Sequence, residues 1–227
     1  MRLKALASVT LLSYSLCSFA ALETEGDKLS YSLGVSMAEQ LKQFEGINVN
    51  AVIQGLEDNL GNHNLQLSQD QVSYFIDLAQ VKKQSLNQIN YQKAAQKGLV
   101  KSQLFLAENS KKPGIVVLES GLQYRILTKG SGIRPSITDH ITVHYEGRLI
   151  DGTLFESSYT RSQPATFQLN RVIAGWTEGI QKMPEGSTWE LFIPPTLAYG
   201  SNGIPGIIGP NEAIIFKVEL KDVNKSS

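Results

Sequence analysis

The sequence predicts an α+β protein with an all-α N-terminal half, a long connecting helix, and a C-terminal antiparallel sheet wrapped on a short helix. All 8 prolines and 13 of the 19 glycines lie at or after Pro113, whereas residues 22–110 contain no proline and repeat their apolar residues at helical spacing. Beyond residue 140 the apolar residues alternate with period two, as in strands with one buried face. Because proline inside a helix costs about 3 kcal/mol, its distribution marks a domain boundary near Pro113.

Residues 1–20 have the pattern of a secretory signal peptide. A basic start precedes a short apolar run over residues 6–16, and small residues stand at the cleavage position after Ala20. The run is shorter than the roughly 20 residues that span a bilayer, so an uncleaved anchor is the weaker interpretation. The residues before Cys17 do not fit a lipid-anchor site, and cleavage after Ala20 removes this single cysteine. We therefore expect a mature chain without disulfides in the periplasm of a Gram-negative bacterium, with outer-membrane or surface association left open.

Charge and histidine spacing argue against several kinds of partner. The chain has 21 basic and 21 acidic residues, so its net charge gives no reason to expect nucleic acid or a membrane surface as a partner. His63, His140 and His144 are scattered along the chain, and their spacing does not suit a metal site. We therefore expect neither a metal nor a cofactor.

Two short helices are predicted before residue 61. The first has Asp27 as its N-cap and ends at Gly46, and the second covers residues 50–60 with Gly61 as its stop. Each carries its apolar residues on one face. In the first helix they recur about every four positions, at Leu29, Leu33, Met37, Leu41 and Phe44.

A third helix is predicted to be much longer. Ser68 begins it and Gln71 stands at capping-box spacing, after which the helical pattern continues to residue 108 with Gly98 as its interruption. At 1.5 Å per residue such a helix is a rod of roughly 60 Å. Residues 82–97 are mostly polar, so the rod is too exposed to be a core helix and is interpreted as a spacer.

These patterns divide the chain into residues 21–67 as an N-terminal helical domain, residues 68–110 as the connecting helix and residues 115–225 as a second domain. About 45 residues make a poor core by themselves. The apolar stripe of the first helix therefore has two interpretations, a monomeric three-helix bundle or a dimerisation module.

The second domain has the alternation of an antiparallel sheet. Ile141, Val143 and Tyr145 share one face of a strand, and the same alternation recurs over residues 189–193 and 214–220. Residues 172–182 break this rhythm and are interpreted as one short helix. Strands with one apolar face and a single helix imply a curved sheet wrapped on that helix.

Residues 143–216 concentrate aromatic and branched apolar side chains around turn glycines. The stretch offers no nucleophile, metal cluster or phosphate loop, so a site built from it must act on an apolar group by shape and dehydration. Five short motifs carry this pattern: Tyr-Glu-Gly (145–147), Asp-Gly-Thr-Leu-Phe (151–155), Val-Ile-Ala-Gly-Trp (172–176), Ala-Tyr-Gly (198–200) and Gly-Ile-Ile-Gly-Pro (206–210).

In this order the five motifs resemble those of the FKBP-type peptidyl-prolyl isomerases. The whole chain, with its long helix and the Lys-Pro-Gly at 112–114, resembles the macrophage infectivity potentiator (Mip) subgroup. The resemblance implies an FKBP-like sheet and a periplasmic or surface-associated homodimer formed through residues 22–66. It also implies binding of the macrolides rapamycin and tacrolimus, and proline-containing segments of unfolded or exported proteins as substrates.

The resemblance also implies which residues form the site. Trp176 would be the pocket floor, while the backbone N–H of Ile173 and the hydroxyl of Tyr199 would hold substrate carbonyls. The family usually has Asp where this chain has Glu156, and many relatives carry a second aromatic residue before the next strand, where this chain has Pro164-Ala165. The full predicted set is Tyr145, Phe155, Glu156, Ile173, Trp176, Tyr199 and Phe216 as catalytic residues, with Val172 and Ile208 as substrate-binding residues.

The predicted activity is therefore peptidyl-prolyl cis–trans isomerisation in an apolar, desolvating aromatic pocket. The alternative is a dimeric periplasmic chaperone that binds unfolded polypeptides and has weak or auxiliary isomerase activity. Isomerisation by this pocket needs no base, nucleophile or cofactor, because the reaction is a rotation about the C–N bond in which no covalent bond is broken and no proton is transferred.

Overall fold

The computed structural model describes residues 22–225, and the predicted signal peptide lies outside the described residues. The chain separates into two compact units, one ending at Lys83 and the other beginning at Gln84. Within the described range, no helix combines the length and apolarity needed to cross a membrane.

The first helix, α1 (Glu25–Leu41), begins at a capping box. The Thr24 hydroxyl accepts a hydrogen bond from the Asp27 N–H at 3.0 Å, and the Asp27 carboxylate accepts one from the Thr24 N–H at 3.1 Å. The prediction that Asp27 is the N-cap was thus three residues late, because its carboxylate reaches back to the true cap from the first turn. The helix also ends before Gly46, which lies in the following turn with φ +74°.

The next two helices begin with side-chain caps. In α2 (Val49–Leu60) the Asn48 side chain accepts from the Asn50 N–H at 3.0 Å, and Gly61 is the C-cap. In α3 (Gln69–Asn109) the predicted capping box is confirmed, since Ser68 and Gln71 each accept a hydrogen bond from the other's backbone N–H, at 3.3 and 2.9 Å.

The unit that ends at Lys83 has no apolar core of its own. Among residues 22–83 no apolar side chain is buried, and Leu29, the first residue of the predicted stripe, is 62% exposed. A monomeric three-helix bundle would bury that stripe, which the single chain does not.

The second unit is built on a seven-stranded antiparallel sheet. Its strands are β1 (Ile115–Val117), β2 (Gln123–Thr128), β3 (His140–Leu149), β4 (Leu154–Ser157), β5 (Ala165–Gln168), β6 (Thr188–Ile193) and β7 (Ile214–Asn224). They lie in the order β1-β2-β6-β7-β3-β4, with β5 paired to the start of β3. The predicted alternation is confirmed, because Ile141, Val143 and Tyr145 all lie in the buried core.

A short helix, α4 (Ala174–Ile180), packs against the apolar face of the sheet. Two glycines on this helix allow the close approach. A Cβ atom at Gly175 would lie 2.4 Å from Ile193 Cγ2, and one at Gly179 would lie 3.1 Å from Leu191 Cδ2. The helix is shorter than the predicted 172–182, and the predicted α+β architecture is confirmed.

The last part of α3 belongs to the sheet's unit and is not a free spacer. Its Phe105 ring lies 6.2 Å from that of Phe192 on β6. Buried polar groups complete the contact, since the Asn109 amide donates to Gln123 Oε1 at 3.0 Å and the Gln123 amide donates to the Leu106 carbonyl at 2.9 Å. The side chains that this part of the helix buries are the polar Ser102 and Asn109, whereas Leu104 is exposed, so the apolar pattern of the sequence does not reveal the contact.

Candidate active site

Trp176, in the first turn of α4, forms the floor of an aromatic pocket. Its side chain is 4% exposed, and three rings meet it edge to face. The ring centroids lie 5.2 Å away for Tyr145, 5.8 Å for Phe167 and 5.0 Å for Phe216. Edge-to-face contacts of this kind are the preferred geometry of aromatic pairs, so the floor is held rigidly from three sides.

The glycine of the Tyr-Glu-Gly motif makes room for one wall. Gly147 lies on β3 between the rings of Phe155 and Phe216, which meet edge to face at 5.6 Å. A Cβ atom at Gly147 would lie 2.6 Å from Phe155 Cζ and 2.7 Å from Phe216 Cε1. A larger residue at this position would therefore push both rings out of place.

The opposite wall ends in a polar cluster formed by Tyr145, Glu156 and Arg161. The Tyr145 hydroxyl donates to Glu156 Oε1 at 3.3 Å, and the Arg161 guanidinium donates to the same carboxylate oxygen at 2.7 Å. Arg161 also donates to the Tyr145 hydroxyl oxygen at 3.1 Å. Burial raises the pKa of Tyr145 above its ordinary value of 10.0, so the hydroxyl is protonated at neutral pH and remains a donor.

Two of the predicted substrate-binding groups have no partner within residues 22–225. The backbone N–H of Ile173 donates to no acceptor there, although the Ile173 carbonyl accepts from Trp176 and Thr177 at the start of α4. The Tyr199 hydroxyl is likewise without a hydrogen bond, and burial raises its pKa above 10.0. Both groups line the pocket and can donate to an incoming carbonyl.

The rim loop, residues 199–213, closes the top of the pocket. Ile204 and Ile207 line the cavity, whereas the predicted Ile208 is 3% exposed and belongs to the core. Ile208 holds Ile204 in place by two backbone hydrogen bonds, at 2.8 and 2.9 Å. Two adjacent isoleucines look alike in the sequence, and the turn between Ile204 and Ile208 decides which of them faces the cavity.

Besides Ile204 and Ile207, the structure adds two lining residues that the sequence interpretation missed. Phe167 on β5 pairs with Ile141 on β3, and Ala165, two residues earlier on β5, pairs with Val143. Residues two apart on a strand share a face, so Phe167 supplies an aromatic ring on the same face as Ala165. Arg171 stands before Val172 at the mouth and forms no hydrogen bond or ion pair with any residue in the range 22–225. The alternation within β5 signals Phe167, and nothing local signals Arg171.

The complete cavity has a volume of about 320 Å³. All of the predicted site residues except Ile208 line it. The full lining is Tyr145, Phe155, Glu156, Phe167, Arg171, Val172, Ile173, Trp176, Tyr199, Ile204, Ile207 and Phe216.

Comparison with known proteins agrees with this geometry. Residues 132–221 match the family model of the FKBP-type peptidyl-prolyl cis-trans isomerase, and residues 26–126 match that of the domain amino-terminal to it. The chain belongs to the FKBP-type peptidyl-prolyl isomerase family. The predicted resemblance is thereby confirmed.

Relatives of this FKBP-type isomerase match along nearly its full length. The outer membrane protein MIP of Legionella longbeachae is 43% identical over 91% of this chain and 89% of its own. The peptidyl-prolyl cis-trans isomerase Mip of Coxiella burnetii is 44% identical over 90% of this chain and 89% of its own. The crystal structure of FkpA from Escherichia coli has a TM-score of 0.74 at 33% identity, covering 91% of this chain and all of that one.

Proposed function

We propose that this protein catalyses cis–trans isomerisation of X-Pro peptide bonds in exported proteins. The observation that carries the proposal is a pocket with aromatic walls and floor, lined also by two donors, the Ile173 N–H and the Tyr199 hydroxyl, that have no hydrogen-bond partner within residues 22–225. An apolar slot of this kind accommodates a proline ring, and the two groups donate hydrogen bonds to the substrate carbonyls on either side of it.

The physical basis of catalysis is the loss of resonance during rotation. A planar peptide bond resists rotation by about 18–20 kcal/mol, and X-Pro bonds exchange uncatalysed in tens to hundreds of seconds. In the twisted transition state the carbonyl is less polar than in either planar isomer, so water stabilises the transition state less than the ground states. A pocket that excludes water therefore favours the twisted amide differentially, which is the requirement for catalysis.

The lining residues have three separate roles in this mechanism. The Trp176 indole, with Phe155 and Phe216 at the wall, surrounds the proline ring and excludes water. The Ile173 N–H and the Tyr199 hydroxyl orient the substrate backbone, so that the reacting bond lies over the apolar floor. Tyr145 and Glu156, tied by Arg161, close the side of the pocket.

A protease-coupled isomerisation assay on a Leu-Pro-Phe peptide tests the proposal, using the mature chain of residues 21–227 with and without rapamycin. Rapamycin-sensitive acceleration supports it. Absence of acceleration from protein shown to be folded by circular dichroism contradicts it. The variant Tyr199→Phe removes one donor without changing the apolar lining and should lower kcat/KM.

The exposed stripe of α1 supports the further proposal that the mature protein is a homodimer through residues 22–66. Leu29, Leu33 and Met37 are all exposed in the single chain, and a second copy is a partner whose matching stripe would cover them. Sedimentation velocity tests this, with Leu33→Glu expected to yield monomers. A wild-type protein that sediments as a monomer at high concentration would contradict it.

The signal-peptide pattern supports export to the periplasm, and the family resemblance supports rapamycin and tacrolimus as ligands.

A polypeptide-binding chaperone is the second candidate function, because the apolar groove between α1 and α2, about 500 Å³ in volume, offers a surface to unfolded clients. Trp176→Ala should abolish isomerisation and spare suppression of aggregation if this second activity exists. Deletion of residues 22–66 should abolish suppression of aggregation and spare isomerisation.

A further inference from the structure

The second half of α3 is bonded to the rim loop rather than only to the sheet. The Tyr91 hydroxyl donates to the Ser201 carbonyl, and the Ser102 hydroxyl donates to the Asn211 carbonyl at 2.9 Å. The same Ser102 oxygen accepts from the Ala213 N–H at 2.7 Å, and its side chain is 1% exposed. The helix thus contacts the rim loop near both ends of the loop, at Ser201 and at Asn211 and Ala213.

Asn211 connects α3 to the opposite end of the rim loop. Its side-chain amide donates to the Ala95 carbonyl of α3 at 3.2 Å, and its backbone N–H donates to the Gly200 carbonyl across the loop at 2.8 Å. The residue has a left-handed φ of +55°, a conformation that asparagine tolerates better than most residues. Movement of α3 would therefore be transmitted across the loop to Gly200, the neighbour of Tyr199.

Gly98, which interrupts the predicted helix, is explained by this contact. A Cβ atom at Gly98 would lie 2.1 Å from the Pro210 carbonyl oxygen, closer than any real Cβ contact. The helix backbone meets the loop backbone there, and only glycine permits the approach. Any other residue would force the helix and the loop apart by more than about 1 Å to reach an ordinary contact distance.

The loop held in this way carries three groups of the pocket: the Tyr199 hydroxyl and the side chains of Ile204 and Ile207. We propose that α3 between residues 91 and 102 is a positioning element of the active site, which sets the rim loop in its productive place. This inference rests on the proposed isomerase function. It makes Tyr91, Gly98 and Ser102 positioning residues, because they act through the loop and do not touch the substrate.

The variant Gly98→Ala tests the inference, with Lys97→Ala as the matched control. Lys97 is the adjacent residue, is exposed, and forms no hydrogen bond or ion pair with the described part of the chain. Alanine is the better helix former at both positions, so helix propensity alone predicts that neither variant is harmed. We expect Gly98→Ala to lose about tenfold in kcat/KM while Lys97→Ala stays near wild type, since small misplacements of binding groups are costly.

Hydrogen exchange of the rim loop separates positioning from simple destabilisation. In Gly98→Ala and in the second variant Ser102→Ala, the Asn211 and Ile208 amides should exchange faster while the β3 and β7 amides keep their protection. A lowered melting temperature with unchanged kcat/KM and unchanged loop exchange in the folded protein would overturn the inference. If wild-type protein shows no isomerase activity, the proposed function fails, and loop exchange still reports whether α3 holds the loop.

Discussion

The two tryptophans offer a matched test of the aromatic floor. Trp176 and Trp189 are each 4% exposed, and the indole N–H of each is buried with no hydrogen-bond partner within the described residues. Only Trp176 lines the pocket, whereas Trp189 stacks on Tyr124 at 4.4 Å outside it. Replacing either by phenylalanine makes the same chemical change in two comparably buried places, one in the site and one not.

The magnitudes follow from burial and from the unpaired N–H. Loss of apolar contact and the small cavity that remains should lower the free energy of unfolding by about 1–3 kcal/mol. Removal of a buried donor without a partner returns about 1–3 kcal/mol, because that group no longer has to be desolvated. The terms nearly cancel, so we expect each variant to differ from wild type by less than about 1.5 kcal/mol in urea unfolding.

Activity should separate the two variants sharply. The smaller ring at Trp176→Phe leaves room for water beneath the proline ring, so kcat/KM in the protease-coupled assay should fall about tenfold or more. Trp189→Phe should remain within about twofold of wild type. Equal losses in both variants, or full activity in a stable Trp176→Phe protein, would refute the argument that this indole is the desolvating floor.

Three further predictions concern charge, pH and assembly. Because Arg171 is a lining cation without a partner in residues 22–225, we expect the wild type to prefer acidic to basic residues flanking proline and Arg171→Glu to reverse that preference, measured as the ratio of kcat/KM for an acidic and a basic peptide. Burial raises the pKa of Tyr145 and Tyr199 above 10.0, so the unfolded chain ionises first; stability should be fully present below pH 10 and fall above it, as urea midpoints will show. The melting temperature of wild type, but not of Leu33→Glu, should rise with protein concentration, as expected if folding is coupled to dimerisation.

The fold was predictable where one physical rule dominates. Strand alternation placed Ile141 and Val143 in the core, since a strand has only two faces. The capping box at Ser68 was predictable because both of its partners are local. At Asp27 the same rule was applied three residues late, as an aspartate serves equally well at the cap or in the first turn.

The motifs brought all of the predicted residues except Ile208 to one cavity, and they could not choose between similar residues where tertiary geometry decides. Ile207 and Ile208 are chemically identical. The turn in which Ile204 and Ile208 are hydrogen-bonded places Ile208 in the core and Ile207 in the lining of the cavity. The sequence showed Gly98 as an interruption in a helical pattern. The glycine is required there because the helix meets the Pro210 carbonyl, which lies more than one hundred residues away in the chain. Contacts of such separation leave no periodic trace in the sequence.

Glu156 stands where the resemblance implies an aspartate, and its contacts show where the longer side chain places its carboxylate. A carboxylate left uncompensated within the slot would retain water and weaken catalysis by desolvation. Here the longer arm reaches Arg161 at 2.7 Å, and both side chains are about half exposed, which puts the paired charges on the solvent side of the wall. The Tyr145 hydroxyl donates to that carboxylate at 3.3 Å and accepts from Arg161 at 3.1 Å, so Arg161 holds both side chains. The floor and the Phe155–Phe216 wall of the pocket are therefore apolar, and the charge in its lining that has no partner within residues 22–225 is that of Arg171.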